Sequence, residues 1–243
     1  MVFLDDSPFE RNMVRSRIPE ITVPELPEDP ADYVPFLRLQ NLFETTSFTK
    51  EDKQRSGQYR QEAQRKIAQK RFASEDDYLR SLEMVSIIKP FDSFSAPRIV
   101  QLTQRSNQFN LRTVRYSEED IQRIMTSDRH VTLSFSLADI YGDYGLTGML
   151  ILEKREGALF IDTWIMSCRV LKRGMEFCML NSMVECAVRN KSGRLIGEYI
   201  PTPKNGMVKC HYETMGFVQG GSQYILETAG FSERKHFIRV EKG

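Results

Sequence analysis

Between residues 131 and 166 three apolar-alternating segments follow one another with little between them, and this most constrains the fold. Val131 to Ala138 places Val131, Leu133, Phe135 and Leu137 at every second position. Leu146 to Glu153 and Leu159 to Met166 follow, joined by the turn Arg155-Glu156-Gly157. A period of two over such lengths predicts strands, and links this short predict an antiparallel meander. Helices are predicted on either side. Ser95-Ala96-Pro97 opens one carrying Ile99, Val100 and Leu102, and Ser117-Glu118-Glu119-Asp120 opens another carrying Ile121, Ile124 and Met125. Between them lies the polar stretch Gln104 to Asn110. After the meander a helix is expected from about Gly174 to Arg189, a strand from about Arg194 to Pro201, a helix from about Asn205 to Met215, and two terminal strands split near Ala229-Gly230. The fold class is therefore α+β, a mixed α/β domain with a mostly antiparallel sheet flanked by helices.

The preceding third is organised differently. Prolines at 19, 24, 27, 30 and 35, interleaved with Glu20, Glu25, Glu28 and Asp29, forbid a continuous helix. Short strands are expected at Val2 to Leu4 and Ile21 to Val23. Thr49 with Asp52 and Ser74 with Asp77 have capping-box spacing and predict two helices. The first carries Lys50, Lys53, Arg55, Arg60, Arg65, Lys66, Lys70 and Arg71 against Glu51, Asp52 and Glu62. That is either a solvated face or a dock for an acidic partner.

With 34 Lys+Arg against 33 Asp+Glu over 243 residues, no overall field favours nucleic acid or an anionic membrane. No apolar run reaches the ~18–20 residues of a membrane span, and a cytoplasmic location is expected. Cys168, Cys178, Cys186 and Cys210 form no C-x-x-C pair, so neither a zinc module nor a disulfide framework is signalled.

The stretch Asn205-Gly206-Met207-Val208-Lys209-Cys210-His211-Tyr212-Glu213-Thr214-Met215-Gly216-Phe217 resembles the late helix of the GNAT acyltransferase superfamily. There an Asn opens the helix and a Tyr seven residues on precedes a Gly-Phe strand start. The resemblance implies that Tyr212 protonates a leaving thiolate and that Asn205 holds the strand-to-helix corner. The second GNAT hallmark is the loop after the fourth strand, whose amides receive a carrier's phosphates. Here it reads Ile165 to Glu176, with Cys168, Arg169, Val170, Lys172, Arg173 and Gly174 as the phosphate-binding candidates. Gly174 keeps the family pattern; Leu171 and Glu176 depart from it.

Val2-Phe3-Leu4-Asp5-Asp6-Ser7-Pro8-Phe9-Glu10-Arg11, Val23 to Pro27, Gln101 to Leu111, Tyr141 to Gly148 and Trp164 to Glu176 together resemble an FkbH-like protein. In such proteins a HAD-type phosphatase-like domain is joined to a GNAT-like domain, and glyceryl or methoxymalonyl units are made on acyl carrier protein. The resemblance divides the chain into a HAD C-terminal remnant (1–40), a helical linker (41–86) and a GNAT-like domain (87–243). Asp5 and Asp6 match the acidic HAD motif that helps hold magnesium, which suits two hard oxygen donors. An Asp-x-Asp strand does not precede residue 1, so a magnesium site and phosphatase chemistry are expected only with a complete HAD half.

The implied function is an acyltransferase-like module placing a pantetheine-linked acyl or glyceryl group at the splayed centre of the sheet. Its cofactor is coenzyme A or carrier-bound pantetheine, and its partner is acyl carrier protein. Glu176, then Asp143, then Asp162 are the candidate general bases, Glu176 being expected to stay ionised at a helix N-terminus. Cys168 is the weaker candidate nucleophile, since direct transfer needs only proximity. His130, His211 and His236 are too scattered for a metal set, and His211 is expected at a surface or cap. The alternative function is a non-catalytic docking module whose chemistry resides in a HAD half.

Overall fold

The computed structural model describes residues 2–40 and 61–243. The chain divides into two compact units, Met1–Tyr59 and Arg60–Gly243. The Thr49/Asp52 cap and Lys50, Lys53, Arg55 and Arg60 lie outside the described residues.

In the first unit Val2 bridges Thr22 in parallel, and the Phe3 amide donates to the Thr22 carbonyl. Helix α1 (Pro8–Arg17) starts on Ser7, whose hydroxyl accepts from the Glu10 amide, with Pro8 where its missing N–H costs nothing. The buried Arg11 organises this unit. It donates to the carbonyls of Asp5 and Asp6 at 2.8 and 2.9 Å and pairs with Glu25. Asp5 accepts from the Ser7 amide, and no group of three candidate metal ligands occurs among the described residues. Helix α2 (Tyr33–Leu39) ends the described part of the unit.

The second unit opens with residues 61–69 (α3) and α4 (Glu75–Ser81), which Ser74 caps at Asp77. Its sheet has eight strands: β1 (Val85–Lys89), β2 (His130–Asp139), β3 (Gly142–Arg155), β4 (Ala158–Met166), β5 (Arg194–Glu198), β6 (Val218–Gly220), β7 (Gln223–Glu227) and β8 (Arg239–Lys242). They lie in the order β6-β7-β5-β4-β3-β2-β1-β8. The meander β2-β3-β4 is antiparallel, and only β1·β8 and β4·β5 run parallel.

Helices cover both faces of the sheet centre. Helix α7 (Met175–Arg189) packs Cys178, Met179 and Met183 into the same cluster as Leu150, Leu152 and Ile161. On the other face Ile99 and Leu102 of α5 (Ala96–Arg105) and Ile121 of α6 (Glu118–Met125) meet Met149, Ile151 and Ile165. Each such burial contributes about 1.5–3 kcal/mol. Two covered faces explain why β3 and β4 read as nearly continuous apolar runs.

The boundary between units falls at Tyr59/Arg60, so residues 61–86, expected as linker, belong to the unit that carries the sheet. Strand β1 was not foreseen, and β8 returns parallel beside it, so the terminal region holds three strands where two were expected. The helix expected from Asn205 to Met215 is a 3-10 turn, Gly206–Val208, followed by the four-residue α8 (His211–Thr214).

The feature that positions the site is a divergence. Strands β4 and β5 pair only through Ala158↔Arg194, Leu159↔Leu195 and Phe160↔Ile196. Beyond Phe160, β4 runs on to Met166 without β5 beside it, opening a gap at the sheet centre.

Candidate anion-binding cleft at the mouth of the sheet

The gap between β4 and β5 is filled by the chain itself. Asn110 bridges Ile165 in antiparallel fashion. Three consecutive carbonyls of this segment accept from three places: Phe109 O from the Met166 amide at 3.3 Å, Asn110 O from Asn205 Nδ2 at 3.0 Å, and Leu111 O from the Ile200 amide at 2.9 Å. Arg112 then closes the opening, donating to Glu198 Oε2 at 3.0 Å on β5 and to Asp162 Oδ1 and O at 2.6 and 3.0 Å on β4.

Outside this segment lies a cleft of about 700 Å³ between α5, its following loop, the end of β4 and the turn after β5. Four cations line it: Arg98, Arg105, Arg169 and Lys204. Asn107, Gln108, Ser167 and Cys168 add polar groups, and no acidic side chain contributes among the described residues. Burial, and then the neighbouring Arg169 and Arg105, hold the Arg98 guanidinium below its ordinary pKa. Cations crowded this way raise the local potential and suit an anion such as a phosphate. Helical spacing puts Arg98, Gln101 and Arg105 on one face of α5, and that periodicity was the available sequence signal. Arg98, Arg105 and Lys204 were not foreseen.

The predicted phosphate loop is split. Cys168 is exposed and, with Arg169, reaches the cleft from a 3-10 turn. Val170 is a core residue. Lys172 and Gly174, both at positive φ, face a separate 470 Å³ pocket with Glu176 and His236. Arg173 is 7% exposed and lies inside an ion network, away from the cleft. Asp139 receives Arg65 at 2.7 and 2.8 Å and Arg173 at 3.6 Å; Glu62 lies 3.5 Å from Arg173 and 3.6 Å from Arg65. The Tyr144 ring lies 4.4 Å from the Arg65 guanidinium and 5.2 Å from that of Arg173. Arg65, expected on a solvated or docking face, is thus a buried structural cation that pairs with Asp139 and Glu62.

The acid and base candidates separate as well. Asp143 is exposed and accepts from the Gly145 amide at 2.6 Å, a local turn. Asp162 is held by Arg112, Tyr116 and Thr163. Burial raises the Glu176 carboxyl above its ordinary pKa, and its Oε2 has no partner among the described residues. Asn205 is fully buried: besides Asn110, it donates to the Ile200 carbonyl and accepts from the Thr202 amide and the Tyr199 hydroxyl. It makes no side-chain helix cap.

Tyr212 is 1% exposed, stacked on Tyr224 and packed against Phe217. A Cβ at Gly197 would sit 2.3 Å from its ring, so β5 needs glycine there. Burial raises its hydroxyl pKa. His211, expected at the surface, is wedged edge-on between Phe109 and Trp164, with ring centroids 4.8 and 4.5 Å away, and burial lowers its pKa to about 4.

No protein-family profile and no curated protein matches the chain. Among solved structures, the ribosomal-protein-S18-alanine N-acetyltransferase from Escherichia coli aligns with 63% of this chain and 100% of its own, at 14% identity and a TM-score of 0.46. Spermidine N-acetyltransferase from Vibrio cholerae, in complex with CoA and spermine, aligns with 60% of this chain and 96% of its own, at 11% identity and a TM-score of 0.45. The N-terminal part of the protein BF1531 from Bacteroides fragilis, containing a phosphatase domain complexed with Mg, is 71% identical over 20% of this chain, with a TM-score of 0.19. This chain spans 13% of that structure. No described helix is long and apolar enough to cross a membrane.

Proposed function

We propose that the second unit is a GNAT-type acyl-transfer module that receives the phosphopantetheine-linked acyl or glyceryl group of an acyl carrier protein, with coenzyme A as a surrogate. The observation that carries this reading is the cleft at the end of β4, lined by no acid among the described residues, where Arg98, Arg105 and Lys204 are disposed to hold a phosphate. The bound carrier supplies a thioester, and the chain supplies position and charge, which is what direct transfer between bound partners requires. Glyceryl or methoxymalonyl chemistry follows from the FkbH resemblance and is part of the proposal, as are acyl carrier protein as partner and a cytoplasmic location.

The test is calorimetry of the purified chain with coenzyme A and with a holo acyl carrier protein at moderate salt, using Arg105→Ala as control. Binding that the substitution weakens about tenfold supports the cleft. Equal binding by both forms, or none by either, overturns it.

A second reading, a docking platform without chemistry of its own, is favoured by one observation: Phe109 to Arg112 fill the gap and Tyr212 lies beneath closed packing. Tyr212→Phe separates the two. Lost transfer with retained binding supports catalysis, and binding without turnover in the unmodified chain supports the platform.

A further inference from the structure

We infer that the pocket between α4, the turn entering α7 and residues 235–237 binds a small zwitterion with an apolar body, the chemistry of a free α-amino acid such as leucine. This site shares no lining residue with the cleft at the end of β4, and nothing in it depends on a carrier protein.

Three stretches far apart in sequence build the walls. Helix α4 brings Glu75, Asp76 and Leu79; the turn and the first residues of α7 bring Lys172, Gly174, Glu176 and Phe177; the third stretch brings Lys235, His236 and Phe237. That third stretch is pinned by Asn181, which accepts from the Arg234 amide and donates to the Arg234 carbonyl, both at 2.9 Å. Its close approach requires glycine at the entry to α7, because a Cβ on Gly174 would lie 3.3 Å from the His236 Cβ. The His236 ring is fixed as well. Its Nδ1 accepts from the Ile238 amide at 3.2 Å and burial favours the neutral ring, so Nε2 carries the proton. Lys172 is held at φ +62°, a conformation that costs energy in any residue with a side chain. The cavity, about 470 Å³, has the size of a small-molecule site.

The charges select the ligand. Lys235 and Asp76 pair with each other. Glu75 and Lys172 have no ion pair among the described residues. Glu176 faces its own amide, and its Oε2 is buried without a hydrogen-bond partner among the described residues. A buried acceptor left unpaired is exceptional and marks a place where something else supplies the donor. A wholly anionic ligand such as phosphate would meet Glu75 and Glu176, and a wholly cationic one would meet Lys172. A zwitterion satisfies both signs. Its ammonium donates to Glu176 Oε2 and favours the ionised carboxylate that burial opposes. Its carboxylate accepts from the Lys172 amine, with His236 Nε2 as a further donor in the wall. Leu79, Phe177 and Phe237 receive the apolar side chain, which supplies the hydrophobic part of the binding energy.

The experiment is two-dimensional amide NMR of the full chain titrated with L-leucine, with isopentylamine, which lacks the carboxylate, with isocaproate, which lacks the amine, and with inorganic phosphate. L-leucine is expected to shift the amides of Lys172, Glu176, Phe177 and His236, and to bind about tenfold more tightly than either truncated probe, because each of those leaves one charged partner unmet. Phosphate is expected to leave the same amides in place. In Glu176→Gln the preference for L-leucine over isocaproate should fall about fivefold while the preference over isopentylamine is kept, and in Lys172→Ala the two should exchange. No shift at these amides up to about 20 mM L-leucine overturns the inference. So does a truncated probe that binds as tightly as L-leucine, a phosphate titration that moves the same amides, or an L-leucine response centred on Arg98 and Arg105 instead. If either variant fails to fold by far-UV circular dichroism, the probe series on the unmodified protein decides by itself.

Discussion

Arg169 and Arg173 lie four residues apart in one connection, and the sequence gives them the same meaning. The structure sends them to opposite fates. Arg169 reaches a solvent-facing cleft with Arg98, Arg105 and Lys204, where no carboxylate lines the walls among the described residues. Arg173 enters the interior, where Asp139 and Glu62 surround it and Arg65 and Tyr144 complete the packing. Lys172, with φ +62°, lies between them, and the left-handed Gly174 follows Arg173. A basic residue in a phosphate-type loop therefore says little about phosphate until its partners are known. Charge balanced inside has already spent its interaction on the fold, whereas a cation that faces a cleft also faces what enters it.

The contrast breaks most visibly at Asp139. Its carboxylate is fully buried and serves both guanidiniums, so Asp139→Ala leaves two buried cations with the partly exposed Glu62. The expected loss is about 3–5 kcal/mol in urea unfolding. A loss below about 1 kcal/mol would mean that the network is solvated and the contrast false. The next effect is a pH limb from His211. Its folded pKa is near 4 against an ordinary 6.5, so the unfolded chain takes up the proton first as pH falls. Stability is full above about 6.5 and is lost progressively down to about 4, by on the order of 3 kcal/mol. In His211→Phe that limb should vanish from the pH dependence of the urea midpoint. Glu176 acts with the opposite sign and more weakly. Its raised carboxyl pKa means stability falls as pH climbs above about 4.5 and levels off past the folded value. Glu176→Gln should match the parent at pH 4 and exceed it at pH 7. Equal unfolding curves at both values would show the carboxyl to be hydrated.

Local signals were legible and distant partnerships were not. The meander was readable because alternation and tight turns are local, and the Ser117/Asp120 capping box forms as its spacing dictates. Strand β8 was hidden because all four of its residues are exposed and show no apolar alternation; it exists through pairing with β1, some 150 residues earlier. Arg65 was misread for the same reason, its partner Asp139 being 74 positions away. The inserted segment looked like an ordinary polar loop. Its only hint was the pair Phe109 and Leu111 after a run of polar residues, two apolar side chains that alternate about the buried Asn110.

The smallest effect on stability is the sharpest test of the contrast. Arg105 and Lys204 have no ion pair among the described residues and share the cleft with other cations, so their removal relieves repulsion as much as it loses contact. Arg105→Ala and Lys204→Ala should each leave the urea midpoint within about 0.5 kcal/mol of the parent. The same substitutions should weaken a phosphate-bearing ligand, and affinity in the parent should fall with added salt more steeply than in either variant, because each cation removed is one fewer screened interaction. A stability loss matching Asp139→Ala would place these residues with Arg173 as structural cations. Unchanged stability with reduced, less salt-sensitive binding would show that one short connection sends one arginine to the ligand side of the sheet and another to its interior.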